Sequence, residues 1–248
     1  MRALTLVLIL ALPACGRGPV QPDDVLPQTR QVTSANFVFH YTMGDASIVE
    51  ALGDRVDAAS QRIAGDLGAA NMPRVNVHVY ATHAEMAAAV RPVVPSLPSW
   101  ATGLFTAPDR IHLLSPVRLG QTADRAAVSV LHEFGHCVTL HLNPASANNP
   151  RWLWETVALF EARQQVDPRT LPYLVAGEWP SLSALDAMSN PQIYEVGYLL
   201  GEFVVDRAGL AGLRALIASR GNTLTALGLD EPAFESQWGE FVRNRYFR

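Results

Sequence analysis

The chain has 248 residues, 49% of them apolar and 17% charged, which argues against disorder and leaves room for one large domain or two small ones packed together. A net charge of −4 without any basic block argues against an electrostatic grip on nucleic acid, so no such partner is expected. All 19 basic residues are arginine, which excludes Schiff-base lysines and a P-loop lysine, and Cys15 and Cys137 are too few for a disulfide scaffold or a four-thiolate zinc site.

Met1 and Arg2 put positive charge ahead of an uncharged apolar run, residues 3–14. A helix needs about 20 residues to cross a bilayer, so this run is too short to span one. Charged start, apolar middle and small residue at the cut read as a secretory signal peptide over 1–14. Its ending, Leu12-Pro13-Ala14-Cys15, resembles the lipobox of bacterial lipoproteins, with Pro13 standing where that pattern has a small or branched residue. The resemblance implies acylation of Cys15 and a lipid anchor in the bacterial cell envelope, on the outer membrane or facing the periplasm; ordinary secretion is the alternative. Residues 15–33 carry three prolines and no apolar periodicity, and read as a flexible tether. With Cys15 acylated, Cys137 has no intrachain partner and is expected as a buried thiol.

The folded part is expected over 34–248. Phe37, Phe39 and Tyr41 alternate through 36–41 as in a strand, as do Val75, Val77 and Val79. Between them Ile48, Leu52, Val56, Ala59, Ile63 and Leu67 form one stripe of a helix over 45–69, and a short helix is expected over 83–90. The polar strand positions His40, Asn76 and His78 are expected to face solvent. Segments 100–106 and 110–114 flank a Pro-Asp turn and read as a hairpin. Residues 34–120 thus form an α/β subdomain. From 121 to 248 the pattern is nearly all helix, over 122–142, 150–165, 181–188, 191–208, 210–220 and 231–246. Phe234, Trp238 and Phe241 on the last of these are a core stripe. The expected fold class is α+β: a small mixed sheet with helices, packed on a mainly helical second half, with an active-site cleft between.

Residues 132–136 read His132-Glu133-Phe134-Gly135-His136. On a helix the two histidines lie one turn apart on one face and can bind one metal ion, while Glu133, turned about 100° away, flanks the ion as a base for water. Ala126, Ala127, Val128, Val130 and Leu131 precede the motif, so the helix is a buried one on which these polar groups are costly without a task. A catalytic zinc takes three protein ligands and keeps one position open. His141, five residues past His136, is read as a helix-end histidine, because Thr139 and Leu142 break the metzincin pattern. Glu155 is the better third ligand: it follows His136 after 18 residues and stands among Trp152, Leu153, Val157 and Leu159, where a carboxylate needs a cation. Glu161 is expected to face solvent.

His-Glu-x-x-His, the 18-residue gap and Trp152-Leu153-Trp154-Glu155-Thr156-Val157-Ala158 resemble the gluzincin metallopeptidases, the clan of thermolysin and of the aminopeptidase N type. Small bacterial peptidase-MA-like domains are the nearest resemblance, over about residues 100–241. It implies a zincin-like fold with Zn2+ on His132, His136 and Glu155 and with Glu133 as general base. Thr156 departs from the glycine that many relatives have after the ligand. Ile193-Tyr194-Glu195-Val196-Gly197 is similar to the Tyr-Glu-x-Gly segment of the aminopeptidase branch, which makes Tyr194 the oxyanion donor and Tyr198 its substitute. Aminopeptidases also carry an acid for the substrate amine in the strand before the zinc helix; here that stretch, 100–106, has none. Its backbone at Thr102, Gly103 and Leu104 is instead expected to pair with an extended peptide. The expected function is zinc-dependent, endopeptidase-like hydrolysis of a peptide or protein by metal-activated water. The rivals are a catalytically inactive zinc-containing envelope lipoprotein that binds peptides or proteins, and a metal-free structural lipoprotein.

Overall fold

The computed structural model describes residues 30–145 and 149–248. The signal peptide, Cys15 and most of the tether therefore lie outside the described residues. The end of the tether is corrected: Arg30–Thr33 is strand β1, paired antiparallel with β2 (Phe37–Tyr41) in the register Val32↔Phe39. Only Val32 of its four residues packs on the core and there is no apolar alternation, so the pairing rests mainly on the open edge of β2.

Strands β3 (Val75–Tyr80), β4 (Gly103–Ala107) and β5 (Arg110–Leu114) complete a five-stranded mixed sheet in the order β1-β2-β3-β5-β4. The three central strands run parallel, and β1 and β4 are antiparallel edges. The expected helix over 45–69 is broken into a 3-10 turn at Met43–Asp45, α1 (Ala46–Val49) and α2 (Gly53–Leu67). At the break the Tyr41 hydroxyl donates to Glu50 (2.9 Å), and Leu52 drops into the core. Helix α3 (His83–Val90) begins in a reciprocal cap between Thr82 and Glu85.

Helices α4 (Ala123–Leu142), α5 (Arg151–Glu161), α6 (Pro172–Val175), α7 (Leu182–Asp186), α8 (Ile193–Ala218), α9 (Thr223–Leu227) and α10 (Glu231–Tyr246) follow. The chain is therefore mixed α and β, helix-rich after residue 121. α8 changes direction at Gly209 (φ 62°, ψ −171°), where the sequence separates two helices. No helix among the described residues is long and apolar enough to cross a membrane.

One apolar core joins the two halves. Phe37, Phe39, Val75, Val77 and Ile111 on one sheet face pack with α2 and α4, and the same core continues through Leu153, Val157, Leu199, Phe203, Phe234 and Trp238. Each such fully buried side chain contributes about 1.5–3 kcal/mol over its exposed state. Cys137 is a buried free thiol, as expected. On the other sheet face α3 covers a smaller cluster of Tyr80, Met86, Val90, Val94 and Leu104.

On that second face the residues expected to face solvent, His40, Asn76 and His78, are half-buried and keep part of their surface exposed. His40, His78 and His112 lie side by side across β2, β3 and β5, with ring centroids 4.6 and 5.6 Å apart. His40 and His78 are half-buried, and His112 is buried with both ring nitrogens bonded, to the Tyr80 (2.8 Å) and Thr106 (2.9 Å) hydroxyls. Burial, with His78 and Arg110 nearby, lowers the His112 pKa from 6.5 to about 3. The unfolded chain then takes up a proton below pH 6.5 that folded His112 refuses. Its contribution is complete above that pH and is lost as pH falls toward 3, on the order of 5 kcal/mol in all. Between pH 7 and pH 4 the slope of stability against pH, read from urea midpoints, should differ between the native chain and His112→Gln by about one proton, the native chain losing more stability per pH step.

Candidate metal centre

Helix α4 begins where the Thr122 hydroxyl accepts from the Arg125 N–H (3.3 Å), with Asp124 in the first turn favouring the positive end of the helix dipole. Alanines and branched apolar residues then carry it under the sheet, and every residue from 130 to 139 is buried. His132 and His136, one turn apart, face α5 from this rigid element.

Gly135 sets how near α5 comes. A Cβ there would lie 3.1 Å from the Cα of Ala158, so any side chain at this point would push the two helices apart by a few tenths of an ångström. One turn before Ala158, Glu155 is thereby carried against the two imidazoles. Its Oε2 is 3.4 Å from His132 Nε2 and 4.0 Å from His136 Nε2, and the two Nε2 atoms are 3.1 Å apart. One ligand atom from each residue lies within 4.8 Å of the others, all three side chains are buried, and together they could hold a metal ion. The three sequence-expected ligands are thus brought together.

Helix α8 closes the group from the far side of α5. Cβ atoms on Gly197 and Gly201 would collide with Leu159 (2.5 Å) and Phe160 (2.6 Å), so this Gly-x-x-x-Gly face lets the helices pack closely. Thr156 is buried and its Cα faces Gly197, so the small residue of that contact stands on α8 rather than after Glu155. The approach delivers Tyr194, whose hydroxyl donates to Glu155 Oε1 (3.0 Å). Arg151 lies 5.3 Å over the Tyr194 ring, and its Nη1 donates to the carbonyls of Ala187 (2.8 Å) and Asn190 (2.9 Å), tying down the loop before α8. Tyr198 packs instead against Phe160.

Glu133 is buried, and neither of its carboxylate oxygens has a hydrogen-bond partner. Strand β4 passes directly beside it: a Cβ on Gly103 would lie 3.0 Å from Glu133 Oε1 and 2.8 Å from Leu113 Cδ2. Burial pushes the Glu133 carboxyl up to about 8, with charge on His132 opposing and Glu155 adding to the push. Burial and the neighbouring His132 push the His136 pKa well down. At His132 burial works in the same direction, but Glu155, Glu133 and Gln164 outweigh it and leave the pKa raised. The Tyr194 hydroxyl is held protonated by burial and by Glu155.

Of the three expected peptide-contacting residues, Gly103 lies directly beside Glu133. The Leu114 N–H bonds to the Thr102 carbonyl (2.8 Å), which by antiparallel alternation turns the Gly103 N–H and C=O away from β5 toward the open edge. Leu104 sends its side chain to the opposite face, into the cluster under α3. His141 reaches the Ala70 carbonyl (3.3 Å) at the helix end.

Glu161 is a correction. It is fully buried rather than exposed, bonded to Arg62 at 2.7 Å, because α5 packs its end against the arginine of α2. Burial raises its pKa to about 7 despite that partner. Sequence reasoning also missed two contacts on the histidines. The Gln164 side chain meets His132 Nδ1, and the Phe105 ring stacks on His136 with centroids 5.2 Å apart. Neither has a local signal, since both come from other elements. The Gly197–Gly201 spacing, by contrast, is a sequence signal for close helix packing that the reading of the motif passed over.

Comparison with known proteins gives no matching family model and no matching curated relative.

Proposed function

We propose that this chain is a zinc-dependent peptidase of the gluzincin type, with a zincin-like fold and a substrate cleft beside the metal centre. One observation carries the reading: a buried carboxylate with no hydrogen-bond partner, Glu133, adjoins a convergent His132–His136–Glu155 triangle. A structural metal site needs the triangle but has no use for that carboxylate. Tetrahedral zinc with bonds of about 2.0–2.2 Å spaces its ligand atoms about 3.3–3.6 Å apart. The triangle's edges of 3.1, 3.4 and 4.0 Å bracket that spacing, and two imidazoles with one carboxylate are a donor set that suits zinc.

Zinc, when bound, supplies a Lewis acid that draws the pKa of water toward about 7 and a positive charge that favours the ionised form of Glu133. Glu133 takes the proton of the attacking water and passes it to the leaving amine, which its freedom from other hydrogen bonds permits. Tyr194 can release Glu155 Oε1 and donate to the oxygen that gains charge as the peptide carbonyl is attacked. An extended peptide adds to the open edge of β4, where the backbone of Gly103 supplies one donor and one acceptor beside Glu133. Without an acid in that strand to hold a free amine, the cut falls inside a chain. The leader places the enzyme in the bacterial cell envelope, anchored through an acylated Cys15.

A second reading, a zinc-holding envelope lipoprotein that binds peptides without cutting them, is favoured by the burial of His132, Glu133, His136 and Glu155, each 0–1% exposed. Metal analysis of the purified chain together with a peptide-library digest separates the two. One zinc per chain with chelator-sensitive cleavage is expected. Zinc without any cleavage selects the second reading, and a chain that binds no zinc overturns both.

A further inference from the structure

The two histidines of the metal centre are held in different ways. Behind His136, Nδ1 is buried with no hydrogen-bond partner, and the ring is placed by stacking on Phe105. Behind His132, Nδ1 lies 2.5 Å from the side-chain oxygen of Gln164, a residue outside the helix that carries the third ligand. An amide oxygen only accepts, so this contact puts the proton on Nδ1 and leaves Nε2, the atom facing Glu155, as the lone-pair nitrogen.

A tight turn after α5 brings Gln164 to this position. After Glu161 the chain does not end its helix on a glycine; Arg163 takes the left-handed conformation instead (φ 55°). The Arg163 N–H bonds to the Phe160 carbonyl (3.1 Å) and the Gln164 N–H to the Leu159 carbonyl (2.9 Å), the paired bonds of a Schellman cap. A non-glycine residue rarely adopts this conformation, and such strain persists where the surroundings impose it. Here the cap reverses the chain just past α5 and turns the half-buried Gln164 back onto α4.

We infer that Gln164 is a positioning residue of the metal centre, fixing the tautomer and ring orientation of His132 so that Nε2 is ready for the ion. The inference rests on the proposed metal reading and concerns how tightly the site holds its ion. Outer partners of metal-bound histidines typically change metal affinity by 10–100-fold when removed. The role needs an acceptor of the right length, so Gln164→Leu and the one-carbon-shorter Gln164→Asn should both lose it, while Gln164→Glu should keep it.

The test is zinc affinity of the purified full chain by chelator competition, with the melting temperature of the zinc-free protein measured alongside. Gln164→Leu and Gln164→Asn are expected to bind zinc 10–100-fold more weakly than the native chain, and Gln164→Glu within a few-fold of it. A merely structural Gln164 would lower the zinc-free melting temperature in all three variants and leave their affinities together. Gln164→Leu binding zinc as tightly as the native chain overturns the inference. A native chain that binds no zinc overturns the metal reading beneath it, so the two failures are distinguishable.

Discussion

Glu133→Gln should purify with one zinc per chain and hydrolyse peptides about 10²–10⁴-fold more slowly than the native protein. The amide matches the carboxylate in shape, which matters because strand β4 passes so close to Oε1 that even a Cβ on Gly103 would come to 3.0 Å. It cannot accept a proton from water, and that is the step assigned to Glu133. The three ligand side chains are untouched, so metal content separates loss of the base from loss of the site. Zinc content by elemental analysis and cleavage of a library-derived peptide are the measurements. A variant as active as the native chain would sink the assignment of the base.

Glu155→Gln should have the opposite profile. Losing a direct ligand should weaken zinc by at least about 100-fold, the upper end of what loss of an outer partner costs. Folding without zinc loses the attraction between Glu155 and His132 and sheds the carboxylate's desolvation penalty, two opposing effects, so the zinc-free melting temperature is measured as the baseline. The amide oxygen can still accept from Tyr194, and exchanging a buried carboxylate for a neutral group removes a desolvation penalty. Metal-linked stability should vanish instead. At free zinc 100 times its dissociation constant the native chain gains about 2.7 kcal/mol, roughly 5–10 °C in melting temperature for a domain of this size. Thermal melts with and without zinc would read this directly. A variant whose melting temperature still rises with zinc as the native chain's does would remove Glu155 from the ligand set.

Both profiles depend on helix contacts that have no local signature. The pairing of His132 with His136 follows from helical period alone, and the burial of their helix follows from its alanine and valine run. Whether Glu155 arrives depends on Gly135 and on the turn between α4 and α5, which decide how close two helices come and at what rotation. Tyr194 arrives through a further contact, made by Gly197 and Gly201. The chain's motif spacing implied the result by resemblance; the glycine contacts give it a physical cause.

The misreadings have one cause as well. Glu161 looks like a solvated carboxylate on its own helix, but Arg62, 99 residues earlier in the chain, meets it in the interior. His40 and His78 keep part of their surface exposed, as the alternation implies, and β5 adds a buried His112 to their row. Arg30–Thr33 has no apolar alternation of its own, and it becomes a strand because β2 offers an edge.

What the residues determine without help is whatever has a short period or a short range: alternating strands, apolar stripes, the caps at Thr82 and Thr122, the break at Gly209, and two imidazoles on one helical face. What only the folded chain decides is anything that joins segments distant along it. The distance of Glu155 from the two histidines, the acceptor behind His132, the strand edge beside Glu133 and the partner of Glu161 all fall in this class. The reason is physical: local pattern specifies which face of an element is buried, but the partner on that face is set by close packing among all elements at once.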